Sequence, residues 1–132
     1  MIFVDSNLFI YAVGRPHPLK EKARTFFIES SRKGKRLVTS AEVLQEIIHV
    51  YLPAGRMAHM NAALELAQSG MDNILPITLE MVMHARNLID NHPQLTARDL
   101  IHLSVCQLHE IKELMSFDRA LNSAFHKSIS SA

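Results

Sequence analysis

The first seven residues, Met1-Ile-Phe-Val-Asp5-Ser-Asn7, indicate how the chain folds. Three strongly apolar residues run directly into an acid and two small polar residues, and a second apolar stretch with helical spacing follows. We therefore predict a short buried strand that ends at Asp5, followed by a helix. In open α/β sheets, ligands bind beyond the carboxyl ends of the strands. This position makes Asp5 the first candidate site residue.

A similar pattern recurs near the other end of the chain, where Leu114-Met-Ser-Phe-Asp118 places an acid after a short apolar stretch. Further strand patterns lie at residues 37–39 and 73–78, and helical patterns separate all four strands. This alternation predicts an α/β fold with a parallel sheet that is covered by helices on both sides. Because parallel strands end at the same edge, we expect Asp5 and Asp118 to lie close together. For either acid alone, capping of the following helix is an alternative explanation.

The spacing of the apolar residues predicts seven helices, with proline and glycine near several of their ends. In the fifth helix, Met81, Val82 and Ile89 are predicted to face the core. The residues after about Phe125 are predicted to form a mostly polar tail. The seven predicted helices span approximately residues 7–12, 19–32, 41–51, 57–68, 78–92, 96–109 and 119–125.

Two further acids lie on predicted helices. Glu46 falls at the flank of an apolar stripe, where a carboxylate requires a partner unless it is a solvated charge at the margin. Asp99 lies in the first turn of a mainly apolar helix, but Thr96-Ala-Arg-Asp99 also fits a capping box. Glu42 lies one turn before Glu46 and has a structural explanation, because Thr39-Ser-Ala-Glu42 fits the same motif.

Four acids on four separate elements are better explained as one cluster than as four coincidences. A pocket of carboxylates binds hard divalent cations, and all-oxygen ligation favours Mg²⁺ or Mn²⁺. None of the eight histidines forms a His-x-x-x-His pair, so a zinc site is not expected. The sequence also has no glycine-rich phosphate loop and no Gly-x-Ser-x-Gly motif. The predicted metal site consists of Asp5, Glu46, Asp99 and Asp118.

The composition restricts the class of protein. At 132 residues, with 48% apolar and 20% charged residues, the chain is predicted to form a single globular domain over residues 1–132. No apolar run approaches the roughly 20 residues that a membrane span requires. The first residues do not resemble a secretory signal, and the single cysteine, Cys106, fits a reducing compartment. We therefore expect a cytoplasmic protein with no membrane contact.

Basic residues are concentrated in one segment. Residues 15–36 contain eight Lys and Arg against two Glu, although the net charge of the chain is only +1. Such a segment can attract a polyanion, and an ordinary solvated helix face is an equally good explanation.

In order and spacing, these motifs resemble the PIN-domain ribonucleases, and most closely the VapC-type toxins of bacterial and archaeal toxin–antitoxin pairs. The matching stretches are Ile2-Phe-Val-Asp5-Ser-Asn7, Thr39-Ser-Ala-Glu-Val-Leu-Gln-Glu46, Thr96-Ala-Arg-Asp99-Leu-Ile-His-Leu and Leu114-Met-Ser116-Phe-Asp118-Arg. The resemblance implies a three-layer α/β/α fold with a central parallel sheet of four to five short strands. A further strand often follows the last acid in that family, and this chain departs from that pattern, since only the mostly polar residues 126–132 remain.

The resemblance also implies a function and the residues that carry it. The expected reaction is Mg²⁺- or Mn²⁺-dependent hydrolysis of RNA phosphodiester bonds, with Glu46 as a ligand or as a base. An antitoxin protein and a second copy of the chain are the expected partners. The four acids would form the metal pocket, and Asn7 and Ser116 would support it. With RNA as the substrate, the basic segment is the expected contact for the RNA backbone, through Arg15, Lys20, Lys22 and Arg24.

Three alternatives remain open at this point. The chain could be an RNA-processing nuclease outside a toxin–antitoxin pair, or a PIN-like module that binds RNA or a partner without cutting. A phospho-accepting regulatory domain also places aspartates at strand ends. That last class requires paired acids after the first strand and a lysine at a late strand end, and this sequence has neither.

Overall fold

The computed structural model describes residues 1–130, and this part of the chain contains four strands and seven helices. The elements are β1 (Ile2–Val4), α1 (Ser6–Val13), α2 (Lys20–Arg32), β2 (Leu37–Ser40), α3 (Ala41–Ala54), α4 (Met57–Gly70), β3 (Asn73–Leu75), α5 (Leu79–Leu88), α6 (Ala97–Leu108), β4 (Glu113–Met115) and α7 (Arg119–Ser130). No helix within residues 1–130 is both long enough and apolar enough to cross a membrane.

The four strands form one parallel sheet in the order β3-β2-β1-β4. Strand β1 is central, and Phe3 and Val4 are fully buried because helices cover the sheet. Strand β3 lies at the edge of the sheet, where Pro76, which directly follows it and cannot donate a ladder hydrogen bond, is tolerated. These observations confirm the predicted α/β/α class with a parallel sheet, and the four strands fall within the predicted four to five.

The sheet register brings the ends of β1 and β4 together. Val4 pairs with Met115, and the backbone N–H of Asp5 donates to the Met115 carbonyl at 3.0 Å. Asp5 and Ser116 are therefore the first residues beyond the sheet on two adjacent strands. Strand β2 runs directly into α3, so the helix that carries Glu46 begins at the same edge.

The C-terminal segment differs from the prediction. Helix α7 continues to Ser130 instead of ending near Phe125, and no strand follows Asp118 within residues 1–130. Leu121, Ala124 and Phe125 are buried within the predicted part of α7, whereas His126, Lys127 and Ile129 are exposed. The mostly polar segment after Phe125 is therefore a mostly exposed continuation of the helix. Residues 131–132 lie outside the described residues.

The core-facing side of α5 was also partly mispredicted. Met81, Ala85 and Leu88 are buried, whereas Val82 and Ile89 are 43% and 41% exposed. The buried residues repeat at intervals of four and three, which defines a narrow stripe, and the two exposed residues lie one position beyond it. Helix α5 also ends at Leu88, before the predicted end at His92.

Candidate metal centre

Asp5 lies at the centre of the candidate site and is only 4% exposed. Its Oδ1 accepts the backbone N–H of Ser6 at 2.7 Å, which also caps the start of α1. Its Oδ2 accepts the Ser116 hydroxyl at 2.6 Å and the Asn7 side-chain amide at 3.4 Å. The predicted capping role and the predicted pocket position are therefore both present in the same carboxylate.

Ser116 and Asn7 connect the ends of β1 and β4. The Ser116 hydroxyl accepts the backbone N–H of Asp118 at 3.0 Å while it donates to Asp5. The Asn7 Oδ1 accepts the backbone N–H of Phe117 at 3.2 Å. These contacts fix the two strand ends relative to each other, and they hold the Asp5 carboxylate in one orientation.

Glu46 reaches the same site from the second turn of α3. Its Oε2 accepts the Ser6 hydroxyl at 3.3 Å, and its Oε1 makes a close contact with Nε2 of His102. The same Nε2 lies 3.7 Å from Oδ1 of Asp5. One potential ligand atom from each of these three residues lies within 4.8 Å of the other two.

Asp99 and Asp118 lie beside this group but do not belong to the set within 4.8 Å. Asp99 is one turn before His102 on α6, and Asp118 follows Ser116 and caps α7 through the backbone N–H of Leu121 at 3.2 Å. Their charges are close enough to interact, because Asp118 and Asp5 both raise the pKa of Asp99. The structure thus brings all four predicted acids to one edge of the sheet.

Electrostatic repulsion and burial act on this cluster together. Burial raises the pKa of Asp5, with a further contribution from the Glu46 charge, and these effects outweigh the opposing contacts with His102, Ser116 and Ser6. Burial is also the main reason for the raised pKa of Asp99. Burial alone would lower the pKa of His102, but its hydrogen bond with Glu46 and the surrounding negative charges raise it.

The donor set fits a hard divalent cation. Buried carboxylates whose ionised forms are disfavoured by burial and by one another are stabilised when a cation binds between them. Oxygen donors predominate, as Mg²⁺ and Mn²⁺ prefer. Asp5, Glu46 and His102 form the group whose ligand atoms lie close enough to hold such an ion, and Asp99 and Asp118 lie beside it.

His102 is the site residue that sequence reasoning missed. It is 1% exposed, lies one turn after Asp99 on α6, and packs against the ring of Phe3 at a centroid distance of 5.6 Å. Its spacing of three residues from Asp99 was the available signal, since residues i and i+3 share a helix face.

The explanation of Glu42 by helix capping was wrong. Ser40, not Thr39, caps α3, and its hydroxyl accepts the backbone N–H of Val43 at 3.4 Å. Thr39 instead donates its hydroxyl to the Val4 carbonyl at 2.7 Å, across the sheet. Glu42 forms an ion pair with Arg98 at 3.5 Å.

The predicted RNA-binding residues occupy different environments. The Lys20 ammonium donates to the Gly14 carbonyl at 2.8 Å, so a backbone contact engages it. Lys22 and Arg24 are exposed on α2. Exposed Arg15 lines a groove of 430 Å³ together with Arg56, which the sequence did not single out. Two tyrosines and two histidines also line this groove, namely Tyr11, Tyr51, His17 and His59.

Comparison with known proteins defines the class to which this fold and this acidic site belong. A model of the PIN domain matches residues 2–125, which is nearly the whole chain. The chain therefore belongs to the PIN-domain family.

The more specific similarities are to VapC proteins. The chain is 47% identical over 125 residues to Ribonuclease VapC23 of Mycobacterium tuberculosis, a match that covers 95% of this chain and 98% of that protein. Two solved structures share the fold at lower sequence identity. Mycobacterium tuberculosis VapC20, described as a Sarcin-Ricin loop cleaving toxin, matches with a TM-score of 0.77 and 18% identity, over 94% of this chain and 95% of that chain. VapBC2 from Rickettsia felis, bound to a DNA fragment from their promoter, matches with a TM-score of 0.66 and 16% identity, over 89% of this chain and 88% of that chain.

Proposed function

We propose that this protein is a metal-dependent endoribonuclease and the toxin of a toxin–antitoxin pair. The observation that carries the proposal is the convergence of Asp5 and Glu46 within 4.8 Å of each other, with Asp99 and Asp118 at the same sheet edge. The 47% identity of the chain to a VapC ribonuclease over 125 residues supports RNA as the substrate.

The four acids hold Mg²⁺, or Mn²⁺, in the proposed site. When bound, such a cation lowers the pKa of water and stabilises the negative charge that develops on a phosphate ester. Asp5 is the central ligand, since Ser116 and the Ser6 backbone fix both of its oxygens. Ser6 also orients Glu46, and Ser116 orients the backbone of Asp118. The chain thus holds its carboxylates in place before RNA arrives, which reduces the reorganisation required during reaction.

RNA cleavage by matched variants tests this proposal. Asp5→Asn and Asp118→Asn each remove one carboxylate charge from the site, and Asp90→Asn removes an exposed charge in the turn after α5. We expect both site variants to lose at least about a hundredfold in the cleavage rate with Mg²⁺, and Asp90→Asn to match the wild type. Wild-type cleavage by Asp5→Asn would refute the assignment of the site.

The RNA backbone is proposed to contact Arg15, Lys22 and Arg24, which are exposed. Lys20 is a weaker candidate because its ammonium already contacts the Gly14 carbonyl. Phosphate contacts release counterions, so each alanine variant should reduce the salt dependence of RNA binding by about one unit of slope. If the slope of log affinity against log salt concentration is unchanged in these variants, the RNA backbone does not contact the three residues.

An antitoxin is the proposed protein partner, supported by the similarity to VapC23 and by the shared fold with VapBC2. The cytoplasm, where RNA and a reducing environment coincide, is the proposed location. Expression of this chain alone should arrest bacterial growth, and coexpression of a small protein from the neighbouring gene should relieve the arrest. Growth arrest by the Asp5→Asn variant would separate toxicity from nuclease activity and contradict the proposal.

A homodimer is proposed from the exposed apolar residues on α5. Leu79, Val82 and Met83 lie at positions i, i+3 and i+4, so they share one helix face, and they are 78%, 43% and 56% exposed. A cluster of large apolar side chains on a surface commonly marks an interface. Sedimentation should give twice the chain mass of 14.9 kDa for the wild type and a monomer for Met83→Lys. A wild-type monomer at high protein concentration would refute the dimer.

A further inference from the structure

His102 lies where it could act in either of two ways. Its Nε2 contacts Oε1 of Glu46 and lies 3.7 Å from Oδ1 of Asp5, so the ring faces directly into the proposed metal centre. The imidazole could contribute a nitrogen ligand to the cation. Alternatively, it could donate an N–H to Glu46 and leave the cation to the carboxylates. The two roles require the proton of the neutral ring on opposite nitrogens.

The environment of Nδ1 distinguishes the two roles. A histidine that ligates a metal through Nε2 carries its proton on Nδ1, and that N–H normally donates to a carboxylate, a carbonyl or water. Nδ1 of His102 is buried, and it has no hydrogen-bond partner among the described residues. A proton on Nδ1 would therefore be a buried donor without a protein acceptor, which is unfavourable. A proton on Nε2 has an acceptor, namely the Glu46 carboxylate.

The surroundings of the ring support the same assignment. His102 is 1% exposed and contacts Phe3, and the closest polar groups are carboxylates, which accept hydrogen bonds. Among the contacts described, Glu46 accepts one other hydrogen bond, from the Ser6 hydroxyl at 3.3 Å. Hard cations such as Mg²⁺ also prefer carboxylate oxygen to imidazole nitrogen.

We propose that His102 is a positioning residue, whose Nε2–H holds the Glu46 carboxylate in the site, and that it is not a metal ligand. This inference rests on the proposed metal-dependent cleavage. With His102 and Ser6 on its two oxygens, Glu46 has a fixed orientation although it is carried by a separate helix from Asp5. Helix α6 would thus contribute one acid, Asp99, and one residue that orients the acid on α3.

The spectrum of bound Mn²⁺ tests the assignment directly in the wild-type protein. Electron spin echo measurements detect the coupling between Mn²⁺ and a directly ligating imidazole nitrogen. We expect no such coupling at the Mn²⁺ that the Asp5 site binds. A coupling that is present in the wild type and disappears in His102→Gln would overturn the proposal.

Two variants separate positioning from a general structural role. The amide N–H of His102→Gln can replace the Nε2 donor, whereas His102→Leu has no donor. We expect His102→Gln to bind Mg²⁺ and Mn²⁺ with the wild-type ratio of affinities and to retain at least about ten times the kcat of His102→Leu. Equal kcat losses in the two variants, or a changed ratio of affinities in His102→Gln, would contradict the inference. If His102→Leu fails to fold, the Mn²⁺ spectrum of the wild type remains decisive.

Two controls separate a failure of this inference from a failure of the proposed function. His92 is also buried, but it lines a different cavity with Phe125 and Ser128, so His92→Gln should leave Mn²⁺ binding unchanged. Asp5→Asn should abolish Mn²⁺ binding. If Asp5→Asn binds Mn²⁺ like the wild type, the metal centre itself is wrong and the role of His102 falls with it. If Asp5→Asn abolishes Mn²⁺ binding but the wild type shows the nitrogen coupling, the metal centre is correct and His102 is one of its ligands.

Discussion

Replacement of Asp5 by Asn should change metal binding far more than it changes folding. The side chain of Asp5 is almost fully buried, and the substitution keeps its size and the acceptor for the Ser6 N–H. The hydrogen bond from Ser116 must rearrange, which costs about 1.5–3 kcal/mol for a bond to a charged group. Removal of a buried charge that is repelled by Glu46 offsets this cost. We therefore expect a net change in the free energy of unfolding below about 2 kcal/mol without metal.

Mg²⁺ should stabilise the wild type against unfolding but not Asp5→Asn. At a free Mg²⁺ concentration one hundred times its dissociation constant, binding stabilises the wild type by about 2.7 kcal/mol, and Asp5→Asn should gain nothing. Urea denaturation with Mg²⁺ and with EDTA measures both quantities for each protein. The reasoning would be refuted if Mg²⁺ stabilised Asp5→Asn as much as the wild type, or if Asp5→Asn did not fold.

The same pair of proteins yields a prediction about pH. Burial raises the folded-state pKa of Asp5, so its ionised form destabilises the fold above the unfolded-state pKa of about 3.9. This destabilisation disappears as the pH falls through the folded-state pKa of Asp5. Without metal, the wild type should therefore gain stability relative to Asp5→Asn on acidification. A stability difference that stays constant from neutral pH to pH 4 would contradict the direction of the pKa shift.

Three further predictions concern individual side chains. Glu42→Gln should lose less than about 1 kcal/mol of stability in urea denaturation, because the ion pair between Glu42 and Arg98 is partly exposed. This variant should still cleave RNA, whereas Glu46→Gln should not. Equal activity losses in those two variants would contradict the distinction. Ser116→Ala should weaken Mg²⁺ binding by about tenfold in calorimetry, because it releases the Asp5 carboxylate, and unchanged affinity would refute that role. Cys106 is 1% exposed and burial raises the pKa of its thiol, so a disulfide reagent should label the native protein at least about a hundredfold more slowly than the urea-unfolded chain.

The strand-and-acid pattern was sufficient to predict the class of fold and the edge of the sheet at which Asp5 and Asp118 lie. Parallel strands end at one edge of the sheet, so the motif around Asp5 and its counterpart at Asp118 could be placed together before the register was known. Glu46 was recognisable because a carboxylate at the margin of a buried helix face requires a partner. The structure supplies that partner as His102.

The errors came from features that depend on tertiary contacts. Thr39 and Ser40 are both good capping residues, and the choice between them depends on the Val4 carbonyl, which occupies the Thr39 hydroxyl. His102 has no distinctive sequence neighbour beyond Asp99, and its role depends on the close approach of α3 to α6. In each case, a local pattern allowed two structures and a distant residue decided between them.

The most direct test of the central claim is the dependence of RNA cleavage on a divalent cation. Wild-type protein freed of metal should leave an end-labelled RNA intact in EDTA, and titration with Mg²⁺ or Mn²⁺ should restore cleavage up to saturation. The saturating concentration should match the affinity measured by stabilisation of the fold. Cleavage at the full rate in excess EDTA would contradict the claim that the acids around Asp5 act through a bound metal.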